Sequence, residues 1–304
     1  MKDIINGFYE YNVKLNKSEL TIKTYIENIE KFISDYNFTT ENLDRLSSSE
    51  FIQEWLNDQI NKGYQPGTIN KKKNIISVFA NYLMLNDIIK SNKFKEMSAM
   101  RNDAVKTDIY TDEDINKMMK YLDDMIEENN FGRKVDLKVY KMQRCIINIL
   151  ITTGLRISEV VKMKMDDFDL DNSNIFMVRG KGYKEKVSRK NAFTEEVANQ
   201  LREYLEIRAE INIAECDKDY LFISPLNHKH ITDNTVRRFV KRMFEILGIE
   251  GTLHEFRRTK GSNLIAKGIE IEKVSKFLGH QNIATTERFY VKNVNSVVED
   301  LVNM

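Results

Sequence analysis

The sequence predicts a mainly α-helical protein with one small β-sheet, divided into two domains. Three observations carry that expectation. The chain has 304 residues, more than one hydrophobic core usually serves. Apolar residues recur at mixed spacings of three and four through the first 95 positions, the stripe of amphipathic helices. Alternation suited to strands is concentrated in "NIFMVRGKGYKEKVSRKNAF".

The first domain is expected over 1–95 as a bundle of three or four helices. "LTIKTYIENIEKFISDY" places Leu20, Ile22, Tyr25, Ile26, Ile29, Phe32 and Ile33 on one stripe. The next helix is capped within Ser47 to Ser49 and stops at Gly63, and a third follows Pro66 and Gly67. Helical pattern is expected from about residue 18. A linker is expected over 96–110, where periodic apolar positions thin out. The second domain, 111–304, opens with Thr111 as an N-cap and Glu113 and Asp114 in the first helical turn. "KVYKMQRCIINILITTG" reads as a buried helix ended by Gly154, and two short antiparallel strands flank a Gly-Lys-Gly turn.

Composition excludes several classes. The N-terminus lacks a continuous apolar run and no stretch of about 18 uncharged apolar residues occurs, so neither a signal peptide nor a membrane span is expected. Cys145 and Cys216 lie in unrelated contexts, with neither metal-ligand spacing nor a disulfide framework, which favours a reducing cytoplasm. The net charge of +1 balances 47 basic against 46 acidic residues, so the partner must be read from distribution. Lys62, Lys71, Lys72, Lys73, Lys90, Lys93, Lys95 and Arg101 form a basic stretch that fits either a solvated face or a surface gripping DNA phosphates. HExxH, Walker-type and two-metal acidic patterns are missing, leaving metal-assisted hydrolysis and ATP use without support. A role on RNA gains nothing, since the aromatic residues fall at helix-core spacing.

Single polar residues in the second half read two ways. Arg156 in "TTGLRISEV" fits a structural pair with Glu159 three positions on, and Lys181 in "RGKGYKEK" fits a solvated hairpin turn. His254 and Arg257 share a helical face, as an anion clasp or as a solvent-facing turn. His228 and His230 in "PLNHKH" read as a surface loop. Taken together, two arginines, a lysine and two histidines supply the donors that a phosphodiester under attack requires, and Tyr290 supplies a nucleophile.

"TTGLRISEV", "RGKGYKEK", "HEFRR", "LGH" and a following tyrosine, in that order, resemble the tyrosine recombinase (phage integrase) family, which includes phage and transposon integrases and Xer-type resolvases. The resemblance implies a helical core-binding, SAM-like first domain and a mixed α+β catalytic domain. It implies that Arg156 and Arg257 bind the scissile phosphate, Lys181 protonates the departing 5′ oxygen and His254 assists proton transfer at the nucleophile. It gives His280 a hydrogen bond to the phosphate, Glu159 a supporting place and Tyr290 a 3′-phosphotyrosyl bond. The position after Arg257, often histidine in the family, is Arg258; the ninth residue after His280 is Phe289, which has no hydroxyl, and the tenth is Tyr290.

The expected function is therefore site-specific recombination of double-stranded DNA clamped between the two domains, without metal, ATP or other cofactor. A type IB topoisomerase-like nicking and closing enzyme and a catalytically silent DNA-binding relative are the alternatives. The resemblance also implies a homotetramer on paired DNA sites, and an accessory directionality factor is a further partner it allows. Val294, Val297, Val298, Leu301 and Val302 form a C-terminal stripe that fits packing either in cis or on a neighbouring protomer.

Overall fold

The computed structural model describes residues 1–101, 109–128, 134–170, 173–179 and 187–280. The chain divides into two compact units, Met1–Val105 and Lys106–Met304. The fold is mainly helical with one small sheet.

The first unit contains α1 (Lys2–Lys14), α2 (Glu19–Asp35), α3 (Ser49–Asn61), α4 (Pro66–Leu85) and the short α5 (Lys93–Glu96). Helix starts follow the capping chemistry of the sequence. Ser18 accepts from the Thr21 amide and Ser48 from the Phe51 amide, while Pro66 opens α4, where an amide would lack a partner anyway. Helix α1 corrects the expectation that helical pattern begins near residue 18. It buries only Phe8 and Asn12, with Ile4 and Tyr11 partly covered, too thin a stripe to read from periodicity. The core is aromatic: Trp55 meets Phe94 edge-on at 5.1 Å, and Phe8 meets Phe79 at 5.1 Å.

Part of the expected linker is built into these units. Lys73 donates to the Met97 carbonyl at 2.6 Å, and Asn70 exchanges hydrogen bonds with the Met100 backbone, both at 2.8 Å. Tyr110, at the far end, is buried in the second unit, where its amide donates to Thr259 Oγ1 at 2.8 Å and its hydroxyl to the Thr252 carbonyl at 2.7 Å.

The second unit is organised around α7 (Lys134–Thr153), which packs against α6 (Asp112–Glu128) and, beyond them in sequence, against α9 (Glu195–Ala209) and α11 (Leu253–Ala266). Ile146, Ile147, Ile149 and Leu150 of α7 are fully buried. Cys145 lies among them, and burial pushes its thiol up to about 12, which makes it an inert packing group. The short α8 (Ile157–Val160) follows α7, then the antiparallel sheet β1 (Phe168–Asp169), β2 (Ser173–Arg179) and β3 (Val187–Ala192), in that spatial order. The expected pair of strands is thus joined by a third, short one. Phe176 of β2 stacks on Phe193 at 4.1 Å. Helices α10 (Asp233–Leu247) and α12 (Ile271–Leu278) complete the described elements.

Candidate functional site

The site is built where α7, α11 and α12 converge. Gly154 ends α7 with φ +62°, and a Cβ there would meet Leu278 Cδ2 at 3.0 Å and Lys260 Cβ at 3.1 Å. Only glycine accepts both the left-handed turn and that approach. The turn delivers Arg156 to the N-cap of α8 and Glu159 to its third position.

Glu159 is the hub. It is 8% exposed and accepts from the Arg156 amide at 2.8 Å and from Arg156 Nη1 at 3.0 Å. Arg189, on β3, grips both of its oxygens at 3.1 and 3.0 Å, and Arg257 Nη1 lies 4.0 Å from Oε2. Burial alone would raise the Glu159 pKa, but the hydrogen bonds and charge of Arg189, joined by Arg156, outweigh it and hold the carboxyl below its usual range. The carboxylate is therefore ionised.

Arg257 comes from α11, whose start is fixed by a capping box: Thr252 accepts from the His254 amide while Glu255 receives the Thr252 amide. Arg257 is only 2% exposed. Its Nη1 donates to the Gly154 carbonyl at 3.1 Å, its Nη2 to the Leu278 carbonyl and its Nε to His280 Nε2 at 3.2 Å. That last bond places the His280 proton on Nδ1, the neutral tautomer. Burial first, then the charges of Arg257 and Arg156, push His280 down to about 4. Gly279, with φ +70°, ends α12 and offers its carbonyl to Arg156 Nη2 at 3.3 Å.

The structure thus brings Arg156, Glu159, Arg257 and His280 together, with Arg156 the more open arginine, its side chain 40% exposed. His254 stands on the same helix as Arg257 with an exposed edge. Burial of its inner side, then Arg258 and Arg257, lowers its pKa, so it too is neutral near pH 7. Arg258, at the position where the family often has histidine, pairs with Glu255 at 3.4 Å. Among the described residues, three guanidinium groups share the one Glu159 carboxylate, an arrangement that attracts a phosphate.

Lys181, Tyr290 and the C-terminal stripe lie outside the described residues. The strands flanking the Lys181 turn are anchored on both sides. Arg179 forks onto the buried Asp167 at 3.0 and 2.6 Å, and β3 is tied through Arg189 to Glu159.

Arg189 was not expected from the sequence. Its signal was available in strand register: it pairs with the buried Val178, and Asn191 with the buried Phe176, so the inner face of β3 carries polar residues that need partners.

The basic stretch of the first unit is exposed only in part. Lys73 departs from the expectation of a DNA contact: it is buried and spent on the Met97 carbonyl. Lys62 pairs with Asp58 and Lys93 with Glu96, both at 2.7 Å. Lys72 donates to Gln59 at 2.8 Å and lies 3.4 Å from the Tyr64 ring centre. Lys71, Lys90, Lys95 and Arg101 are exposed. In the loop of the second unit, His230 Nδ1 meets Asp217 Oδ1 at 2.8 Å and its ring stacks on Tyr220, whereas His228 is exposed. Among the described residues no helix is long and apolar enough to cross a membrane, and no group of three or more histidine, cysteine or acidic residues could hold a metal ion.

Comparison with known proteins agrees with this geometry. The model of the phage integrase family matches residues 109–296. The chain is 26% identical over 295 residues to tyrosine recombinase XerC of Thermodesulfovibrio yellowstonii, covering 95% of this chain and 91% of the relative. It is 28% identical to the TnP I resolvase of Bacillus thuringiensis, with 93% of each chain covered. Among solved structures, the Tn1549 transposon integrase in complex with a circular intermediate DNA shares the fold at a TM-score of 0.71, with 20% identity over 98% of this chain and 99% of that one. XerH recombinase bound to a palindromic difH substrate shares it at 0.70, with 21% identity over 95% of this chain and 81% of that one. With a family model spanning more than half of its length and five site motifs in order, the chain belongs to the phage integrase family of tyrosine-type site-specific recombinases.

Proposed function

We propose that this recombinase cuts and rejoins duplex DNA through a 3′-phosphotyrosyl bond to Tyr290, with Arg156, Arg257 and His280 holding the scissile phosphate. The observation that carries this reading is the convergence of Arg156, Arg257 and His280 on one positively charged cluster around Glu159. The Tyr290 oxygen forms a bond to phosphorus while the bond to the 5′ oxygen breaks. The guanidinium groups and the His280 Nδ1–H stabilise the charge that gathers on the non-bridging oxygens. His254, neutral near pH 7, is suited to take the tyrosine proton. Lys181 gives a proton to the departing 5′ oxygen. Attack by a new 5′-hydroxyl reverses the step and rejoins strands, which is why no ATP is needed.

Residues 1–95, within the first unit, form the core-binding domain in this reading, with Lys71, Lys90, Lys95 and, just beyond it, Arg101 as phosphate contacts, and residues 111–304 form the catalytic domain. Double-stranded DNA as the partner is supported by the related integrase and XerH structures, which hold DNA. A homotetramer on paired sites through the C-terminal stripe, an accessory directionality factor and a cytoplasmic setting complete the reading and rest on the family.

Covalent trapping tests it. Wild type and Tyr290→Phe are incubated with a nicked suicide duplex carrying the native site, found by sequencing DNA around the gene, and resolved on denaturing gels. A slow-migrating adduct from wild type alone is expected; an adduct that persists in Tyr290→Phe would move the nucleophile elsewhere.

Two further outcomes follow from the geometry. Arg156→Ala and Arg257→Ala each lose about 3 kcal/mol of transition-state stabilisation in single-turnover cleavage, with DNA binding retained. Denaturant titration separates them: Arg257→Ala also strips the Gly154 and Leu278 carbonyls of a partner and costs about 1–3 kcal/mol of folding stability, whereas the half-open Arg156 costs less. Equal stability losses would contradict the buried bracing of Arg257.

The second concerns pH. The His280 pKa falls from 6.5 in the unfolded chain to about 4 in the folded one, so folding favours the neutral ring. Its contribution is present above pH 6.5 and is lost as pH falls from 6.5 toward 4, because the unfolded state takes up the proton first. Unfolding titrations over that window should show a steeper loss in wild type than in His280→Gln, and parallel curves would rule the assignment out.

A further inference from the structure

We propose that Arg189 is a positioning residue for the phosphate site, holding Glu159 in the orientation that aims Arg156 and seating the Gly279–His280 turn. The proposal rests on the phosphate-site reading above.

Three observations support it. Arg189 meets Glu159 as a fork, Nη1 on Oε1 at 3.1 Å and Nη2 on Oε2 at 3.0 Å. The same Oε1 receives Arg156 Nη1 at 3.0 Å, so the carboxylate stands between a partly buried guanidinium and the more open one. A carboxylate held at both oxygens cannot turn about its own axis, and Arg156 inherits that fixed direction.

Arg189 also touches the other side of the site. A Cβ added to Gly279 would lie 2.5 Å from Arg189 Nη1 and 2.9 Å from its Cζ, so the guanidinium is pressed against the backbone of that turn. The Gly279 carbonyl in turn receives Arg156 Nη2, and the next residue is His280. One side chain therefore fixes Arg156 along two routes, through Glu159 and through Gly279.

Its chemistry is not that of a filler. The side chain is 11% exposed and its Nε is buried with no hydrogen-bond partner among the described residues. Burying an arginine from a short strand with one nitrogen unsatisfied is poor design for stability alone. A lysine could supply the charge but not the two-pronged grip.

The test compares wild type, Arg189→Lys, Arg156→Ala and the double variant on the suicide duplex. Single-turnover cleavage, DNA affinity by fluorescence anisotropy and melting by circular dichroism are read for each. Arg189→Lys is expected to melt and bind DNA close to wild type and to cleave about 10- to 100-fold more slowly, the range seen when an outer partner of a catalytic group is lost. Its effect in the Arg156→Ala background is expected to be clearly smaller, because the group it aims is already gone.

Cleavage at the parental rate, a parallel fall of affinity and rate, a loss that multiplies fully in the double variant, or failure of Arg189→Lys to fold would each overturn the proposal. Tyr290→Phe, run beside them, keeps the two readings apart: an adduct in that variant sinks the phosphotyrosine assignment, whereas its absence together with a fully active Arg189→Lys sinks only the positioning role.

Discussion

A single buried carboxylate, Glu159, is the constraint on which the catalytic unit is arranged. An ionised carboxyl away from water is costly unless it is paired and hydrogen-bonded, and three guanidinium groups brought close together repel one another. Each problem answers the other. Glu159 binds Arg156 from its own helix start and Arg189 from β3, and it lies within 4.0 Å of Arg257 from α11. Among the described residues one carboxylate is shared by three guanidinium groups, which suits the cluster to a phosphate.

The rest of the unit holds these elements in register. The apolar run of α7 fixes the axis, and two left-handed glycines, Gly154 and Gly279, stop α7 and α12 where their last carbonyls meet arginines. β2 is tied to Asp167 through Arg179 and β3 to Glu159 through Arg189, so each strand has its own anchor. Arg257 illustrates a division of labour: nearly closed to solvent, it braces two helix ends and sets the His280 tautomer, leaving Arg156 as the more open arginine.

Much of this was legible in the sequence, for identifiable reasons. Ser48 and Pro66 mark helix starts by local chemistry that tertiary context did not override, and Gly154 marks the end of α7 for the same reason. The pairing of Arg156 with Glu159 was open to a structural reading and to a catalytic one; the geometry contains the pair, and the proposed role depends on it. Lys71, Lys72 and Lys73 look alike in a row. On α4, however, Ile69, Lys73, Ile76 and Ala80 share the buried stripe at helical spacing, so the third lysine points inward. Arg189 escaped notice because its neighbours are basic as well, and only strand register separates the inward arginine from the exposed Lys190.

The most direct measurement of this account is the folding stability of Glu159→Gln relative to wild type, by denaturant titration at neutral pH and low salt. Removing the charge while keeping the shape takes the ionised partner from Arg189 and Arg156, and a loss of about 3–5 kcal/mol is predicted, as for breaking a buried ion pair. A change below about 1 kcal/mol would mean that the arginines do not depend on this carboxylate, and Glu159 would cease to be the centre of the site.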